Sequence, residues 1–330
     1  MANEPAQFER VLEIVSSSSK ILLATHENPD GDGLAAMLAF DLWLISLGKD
    51  ATLLVKEELP SYLKFLPALD LIYKEIPGYE YDLLVGFDYG DFKRLGLDEW
   101  LAGQTKVKIL TFDHHPEGRQ KGDIQIIDEK AASTTVLIYR LLQAAHAEIT
   151  PQIATCILTG IVIDTGGFEH SNANAEALKI AGEMMRRGAN LARITRASFH
   201  KKDPRLIGLW GEALLRIRVD PVSRLALSRI SAEDLQKYRA EREAMVEFSG
   251  VLNTIEGARC AAFLSQEPEE PNFIKGSLRS EEYKGVDVSE IAAGLGGGGH
   301  KLASGFKIEG QWRDVIEKLI REARKIAREN

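Results

Sequence analysis

Short apolar runs recur through the N-terminal half of the chain, and each ends abruptly in polar residues. Residues 20–25, 51–55, 82–87, 107–111 and 123–127 have the length and composition of buried strands. Between and after them the spacing is helical. Residues 4–15 carry Phe8, Val11, Leu12 and Val15 on one face, residues 34–47 form a long apolar helix stopped by Gly48, and Ser133-Thr134-Thr135 opens a helix through Leu142. Hydroxyls at that third start cap the helix, while its free amides suit an anion. Thr150-Pro151 opens a further helix that runs to Ile163.

The pattern changes character near His200-Lys201-Lys202-Asp203-Pro204, after helices at 175–187 and 191–199. This polar stretch reads as a linker. Beyond it lie a helix at 205–216, a strand at 225–230, a helix at 232–238 capped by Ser231, and paired strands at 258–264 and 273–279. A length of 330 residues exceeds the roughly 250–300 at which one core stops growing, so two domains are expected: 1–198 and 207–330, joined by 199–206.

Composition narrows the function. A net charge of −8 argues against a long nucleic-acid track or long duplex, but leaves room for a short, local anionic ligand. Cys156 and Cys260 lie far apart without C-x-x-C spacing, so no zinc site or disulfide framework is indicated and a reducing cytoplasm fits. Residues 1–20 lack the apolar core of a signal peptide. The longest apolar stretch, 153–163, is too short to span a bilayer, so no membrane partner is expected.

Chemistry concentrates where the apolar runs stop. The run at 107–111 leads into Asp113-His114-His115, that at 20–25 into His26 with Asp30, Gly31, Asp32 and Gly33, that at 82–87 into Asp88 and Asp91, and the helix from Pro151 into Asp164. Each point alone has an ordinary reading: a solvated turn, Asp32 capping the next helix, Asp91 capping the segment after it, or a glycine stop after Asp164. Asp164 nevertheless faces the negative end of a helix dipole, a position that a cation would stabilise. Gly31 and Gly33 are read as letting the loop turn tightly. The set matters more than its members.

Carboxylates and imidazoles suit hard divalent cations, and a pair of such ions needs one bridging carboxylate with terminal ligands on either side. We assign His26 and Asp30 to one ion, Asp32, His114 and Asp164 to the other, and Asp88 to the bridge. Manganese fits this mixed set better than zinc, with magnesium next. The reaction class is phosphoester hydrolysis by two-metal activation of water, with His115 free to contact phosphate or the leaving oxygen and Asp113 to orient an imidazole. Far along the chain, Gly294-Leu295-Gly296-Gly297-Gly298-Gly299-His300-Lys301 reads either as a flexible linker or as a loop whose bare backbone approaches a phosphate.

Taken in order, His26-Glu27-Asn28-Pro29-Asp30-Gly31-Asp32-Gly33, Asp88-Tyr89-Gly90-Asp91, Phe112-Asp113-His114-His115-Pro116, Ile163-Asp164-Thr165-Gly166-Gly167-Phe168 and the glycine run with its histidine resemble the motifs of the DHH phosphoesterases. The resemblance covers nearly the whole chain. The length, with Ser277-Leu278-Arg279-Ser280 and the Gly-rich His300 segment, looks most like the group of bifunctional oligoribonucleases and 3′-phosphoadenosine-5′-phosphate (pAp) phosphatases. It implies an α/β fold: an N-terminal, mostly parallel sheet flanked by helices, linked to a smaller α/β DHH-associated domain across a substrate cleft. It also implies two Mn2+ per active site. Arg279, Ser277, Gly297, Gly298, Gly299 and His300 would then hold the far end of a short oligonucleotide or nucleoside bisphosphate, Arg279 and His300 gripping its terminal phosphate.

One departure stands out: where similar proteins often carry a basic, an aromatic and later a threonine residue, this chain has Glu169, His170 and Ala173. Substrate preference near that segment is therefore open, as are cleavage polarity and the choice between monomer and homodimer. The nearest rival within the superfamily is a cyclic-dinucleotide phosphodiesterase. A pyrophosphatase fits the His300 loop poorly, a processive exonuclease needs a more basic channel, and a non-catalytic nucleotide-binding protein would be expected to have lost a ligand.

Overall fold

The computed structural model describes residues 4–78, 80–116, 120–200, 204–240, 245 and 248–329. The chain divides into two compact units, Met1–Lys201 and Lys202–Asn330, each with its own sheet and core. Residues 201–203 of the expected linker lie outside the described residues.

In the first unit, β1 (Ile21–Thr25), β2 (Ala51–Leu54), β3 (Ile72–Tyr73), β4 (Leu83–Phe87), β5 (Lys108–Asp113) and β6 (Ile124–Ile127) form one sheet in the order β3-β2-β1-β4-β5-β6. Every pairing is parallel. Successive residues of β1 divide between two layers, Ile21 and Leu23 entering the larger core and Leu22 and Ala24 a smaller one on the other face. A strand covered on both faces has to be apolar throughout, and so these runs do not alternate. The two-residue β3 is too short to leave a period and has no counterpart in the sequence pattern.

The helices are α1 (Glu4–Ser17), α2 (Gly31–Ser46), α3 (Asp98–Ala102), α4 (Thr134–Ala144), α5 (Pro151–Asp164), α6 (Ala175–Arg186) and α7 (Leu191–Thr195). The expected helix at 191–199 stops short as α7 and continues as a π-helical turn, Arg196–His200. α2 begins three residues before the expected start at Leu34, because Asp30 is its N-cap and accepts from the amides of Asp32 and Gly33 at 3.0 and 3.1 Å. Gly31 and Gly33 therefore sit in helix rather than in a tight turn. What they supply is close approach: a Cβ on Gly33 would stand 2.2 Å from Thr25 Oγ1, and one on Gly31 1.9 Å from Ile163 Cδ1.

The second unit comprises α8 (Pro204–Leu215), β7 (Arg218–Val219), β8 (Leu225–Ile230), α9 (Ala232–Tyr238), α10 (Phe248–Asn253), β9 (Cys260–Ser265), β10 (Phe273–Arg279), α11 (Val288–Gly294), β11 (Gly298–His300), β12 (Ala303–Glu309) and α12 (Trp312–Glu329). Its sheet runs β11-β12-β10-β9-β8-β7, with β8 and β9 parallel and the other pairs antiparallel. Ser231 and Asp234 close a capping box on α9. α12 lays Val315, Leu319 and Ala323 on the core. The glycine run is not all loop, since Gly298–His300 pairs with Ala303–Gly305 as an edge strand. Bare backbone is required there by packing, because a Cβ on Gly297 would lie 2.1 Å from the Gly305 carbonyl oxygen.

Candidate metal centre

Strand order places the reversal of chain direction across the sheet between β1 and β4, and at such a switch point the carboxyl ends open a crevice for ligand. His26 leaves β1 there and Asp88 leaves β4. His26 Nδ1 lies 2.7 Å from the Glu27 carbonyl oxygen, and with Nδ1–H donating to it, Nε2 faces Asp30 at 3.6 Å and Asp88 at 3.9 Å. Arg94 anchors the same loop through its carbonyl, which accepts from the Glu27 amide at 2.7 Å. Arg94 thus braces the loop that carries His26, a role with no sequence signal.

Asp88 is 2 % exposed and holds a left-handed backbone, φ 57°. A non-glycine residue there is uncommon, with Asp and Asn the best tolerated, and such backbones cluster at functional sites. Its amide donates to the Phe112 carbonyl at 2.9 Å and its Oδ1 accepts from Thr134 Oγ1 at 3.0 Å. His114 Nε2 stands 3.4 Å from the same carboxylate and 3.0 Å from Asp164 Oδ2.

Asp32 does not cap its own helix. Its two oxygens accept from the amides of Thr134 and Thr135, at 2.5 and 3.1 Å, so the anion at the N-terminus of α4 is a side chain of α2. The expected capping hydroxyls are engaged otherwise, Ser133 with Thr135 at 2.7 Å and Thr134 with Asp88. Room for this arrangement comes from Gly160 of α5. A Cβ there would fall 2.2 Å from Asp32 Oδ1 and 2.3 Å from Thr135 Oγ1, groups already held by hydrogen bonds. Gly160→Ala is accordingly expected to cost about 1–3 kcal/mol of stability, the range for overpacking a tight site. Denaturant unfolding measures that loss, and an unchanged midpoint would refute the packing argument.

Asp113 is fully buried at the end of β5. Its Oδ2 accepts from the Gly90 amide at 2.7 Å, and its Oδ1 from the His115 amide at 2.9 Å and from His115 Nδ1 at 2.8 Å. His115, half-buried, is left with Nε2 for other partners. Asp91 caps the 3-10 turn Phe92–Leu95 through the Lys93 amide. His170 and Glu169 are exposed, with His170 Nδ1 3.1 Å from the Asp164 carbonyl oxygen, and Asn172 donates to that oxygen at 3.3 Å. The departing segment therefore touches the backbone of a candidate ligand.

Three sets of donor atoms, each within 4.8 Å, emerge from this geometry: His26, Asp30 and Asp88; Asp32, His114 and Asp164; and Asp88, His114 and His115. Asp88 joins two of them. Among the described residues no lysine or arginine forms an ion pair with Asp30, Asp32, Asp88 or Asp164; their only such partners are histidines. Burial first, then the neighbouring carboxylates, push Asp88 well above the ordinary range, and burial with Asp164 pushes Asp32 up to about 7. Burial opposes charge on His114, but the hydrogen bond and charge of Asp164 outweigh it and raise the ring to about 9. Clustered buried carboxylates that favour protonation on their own, set beside imidazoles, form a donor set that suits divalent metal ions.

In the second unit, the register sets Arg279 and His300 opposite the same residue, Ala303, from either side. Ser277 and Gly298 likewise both face Gly305. Directly opposed residues share a face, so Arg279, Ser277 and His300 line one surface with nothing larger than a methyl group between them. The other face of β10, with Ile274 and Leu278, lies on the core. Arg279 is half-buried and burial holds its guanidinium below the usual range; among the described residues it forms no ion pair.

Residues 20–161 match the DHH family N-terminal domain and residues 225–329 the DHHA1 domain. The bifunctional oligoribonuclease and PAP phosphatase NrnA of Thermus thermophilus is 30 % identical over 98 % of this chain and 95 % of its own length. The chain belongs to the DHH family. An exopolyphosphatase-related protein from Bacteroides fragilis superposes with a TM-score of 0.90 at 25 % identity, covering 98 % of this chain and 97 % of that one. RecJ of Thermus thermophilus, solved with Mn2+, shares the fold at 14 % identity and TM-score 0.56, over 99 % of this chain and 55 % of RecJ. This DHH protein is a hydrolase of phosphoester bonds. Among the described residues no helix is long and apolar enough to cross a membrane.

Proposed function

We propose that the enzyme hydrolyses short oligoribonucleotides and pAp using two manganese ions. The observation that carries this reading is Asp88, which at the sheet's switch point shares one donor set with His26 and Asp30 and another with His114, itself grouped with Asp32 and Asp164. His26 and Asp30 would hold one ion and Asp32, His114 and Asp164 the other, with Asp88 between them. Bound there, the ions supply an activated water and neutralise charge on the phosphate oxygens. The protein's own part is to fix the donors: Glu27 orients His26, the amides of α4 orient Asp32, and Thr134 orients Asp88. His115, with its Nδ1 proton held by Asp113, presents Nε2 to a phosphate or a leaving oxygen.

The substrate class is supported by the relative that bears both activities in its name, and by the row of Arg279, Ser277 and His300 on a sheet face lined with Gly298 and Gly305. On this reading the row grips the phosphate that does not react. Arg279→Ala is expected to raise KM for pAp by roughly ten- to a hundredfold, the loss of one charge-assisted hydrogen bond, and to leave a small activated phosphodiester little changed. Equal loss on both substrates would place Arg279 in the reacting centre instead.

Purified protein supplied with Mn2+ and offered pAp, di- to pentanucleotides, a cyclic dinucleotide and pyrophosphate tests the proposal directly. Turnover of pAp and rates that fall as oligonucleotides lengthen are expected, since a chain of net charge −8 attracts long polyanions weakly. Preference for the cyclic dinucleotide would replace this reading, and fast processive degradation of long strands would make the protein an exonuclease. A monomer or a homodimer is compatible with the site, and a cytoplasmic location with its nucleotide substrates.

A further inference from the structure

The first unit carries a second basic feature that the metal centre does not use. Tyr62, Lys64, Phe65, Asn190, Arg193 and Arg196 line a surface pocket of about 470 Å3. No carboxylate lines it, although the chain as a whole is acidic. Among the described residues Lys64, Arg193 and Arg196 form no ion pair; Arg193 instead lies over the Phe65 ring, 5.8 Å from its centroid. Three cations gathered with no carboxylate among the pocket's lining residues repel one another, and an anion relieves that repulsion.

Local structure holds the group in place. Leu63 and Leu66 are anchored in the core, which turns exposed Lys64 outward between them. Asn190 caps α7 by accepting from the Arg193 amide at 2.9 Å, and Arg196 follows Arg193 by three residues, a spacing that keeps both on one helical face. The π-helical turn that carries Arg196 then reaches Phe199, whose ring lies 3.6 Å from where a Cβ on Gly167 would stand, three residues beyond Asp164. The pocket is thus tied through one short helix to the turn that follows a candidate ligand.

We propose that this pocket is an exosite for a nucleoside phosphate, its base against Tyr62 and Phe65 and its phosphate among Lys64, Arg193 and Arg196. Aromatic faces beside arginines are the recurring platform for single-stranded bases. The occupant is either the distal nucleotide of an oligonucleotide or a free mononucleotide; the former rests on the oligonucleotide reading above.

The test is equilibrium binding to the full chain supplied with Mn2+, using a fluorescein-labelled, nuclease-resistant pentaadenylate followed by anisotropy. Lys64→Gln, Arg193→Gln and Arg196→Gln combined should weaken binding at least about tenfold and reduce the slope of log affinity against log salt by about 0.7, as expected when one phosphate of a single strand is no longer neutralised. Circular dichroism confirms that the variant is folded. A defect seen with the pentanucleotide but not a labelled dinucleotide assigns the site to the distal end of the substrate. Displacement of the probe by AMP from the native protein, lost in the variant, assigns it to a free nucleotide. Affinity within twofold of native with an unchanged slope, and no displacement by AMP, overturns the proposal. Failure of the native protein to hydrolyse any oligonucleotide would count instead against the substrate assignment.

Discussion

Asp88→Asn is expected to lower phosphoester hydrolysis by on the order of a thousandfold while leaving the metal-free protein no less stable than before. Asparagine keeps the shape of aspartate and tolerates the left-handed backbone at this position, φ 57°, so the strand end survives the change. Lost are the negative charge and one oxygen donor at the point where two donor sets meet. Stability should not suffer, because burial and the charges of Asp32, Asp30, Asp164 and Asp113 all disfavour an ionised Asp88 in the absence of metal. An alanine there would blur the result, since it adds strain of about 1–2 kcal/mol in the left-handed region. The measurements are Mn2+-dependent turnover and thermal unfolding in chelator. Near-native turnover by the variant would remove Asp88 from the centre, whereas loss of both activity and fold would make it structural.

That residue shows how far the sequence could be read. Asp88, His26 and Asp113 were legible because each stops an apolar strand, and in a parallel sheet every such stop falls on one edge, whereas Asp164 ends the helix α5 and was legible only as a carboxylate at the wrong end of a helix dipole. Convergence from a shared edge needs no long-range information. What could not be read was the support beneath them. Thr134 and Thr135 look like helix caps for their own helix, yet the amides they cap are given to Asp32 from another helix, a pairing of residues about a hundred positions apart. Gly160 looks like a weak spot in an apolar helix, and only the packing of α5 on α2 and α4 reveals that a methyl group would displace Asp32. The glycines at 31 and 33 invited a turn, but an aspartate capping one residue earlier drew them into helix. In the second unit, the glycine run invited a loop, and a strand of glycines leaves no hydrophobic alternation by which to be recognised.

Without metal, the protein is expected to lose stability steadily as pH rises from about 5 to 9, and Mn2+ should reverse that trend. The sign follows from two kinds of group. Asp32, raised from 3.8 to about 7, and Asp88 and Asp164, also raised, bind more protons folded than unfolded, so ionising Asp32 between about pH 4 and 7 costs stability and ionising the other two adds to that loss. His114, raised from 6.5 to about 9, stabilises the fold while protonated, and that contribution is full below 6.5 and gone once pH passes through about 9. Both slopes point downward over the same window. Asp30 and Asp113 are shifted the other way and act only below the ordinary carboxylate range, so they do not offset this decline. A divalent ion requires the deprotonated forms of these same donors, hence its affinity should climb as the metal-free protein weakens, with release of protons on binding. At a concentration a hundredfold above Kd, one site contributes about 2.7 kcal/mol, or roughly 5–10 °C in Tm for a unit of this size. Scanning calorimetry in chelator and in Mn2+ between pH 5.5 and 9 reads the gap directly. It should be small at the acidic end and widen with every step upward; a gap that is constant, or that narrows, would mean that the protons now held by Asp32, Asp88 and His114 do not occupy the place of the metal.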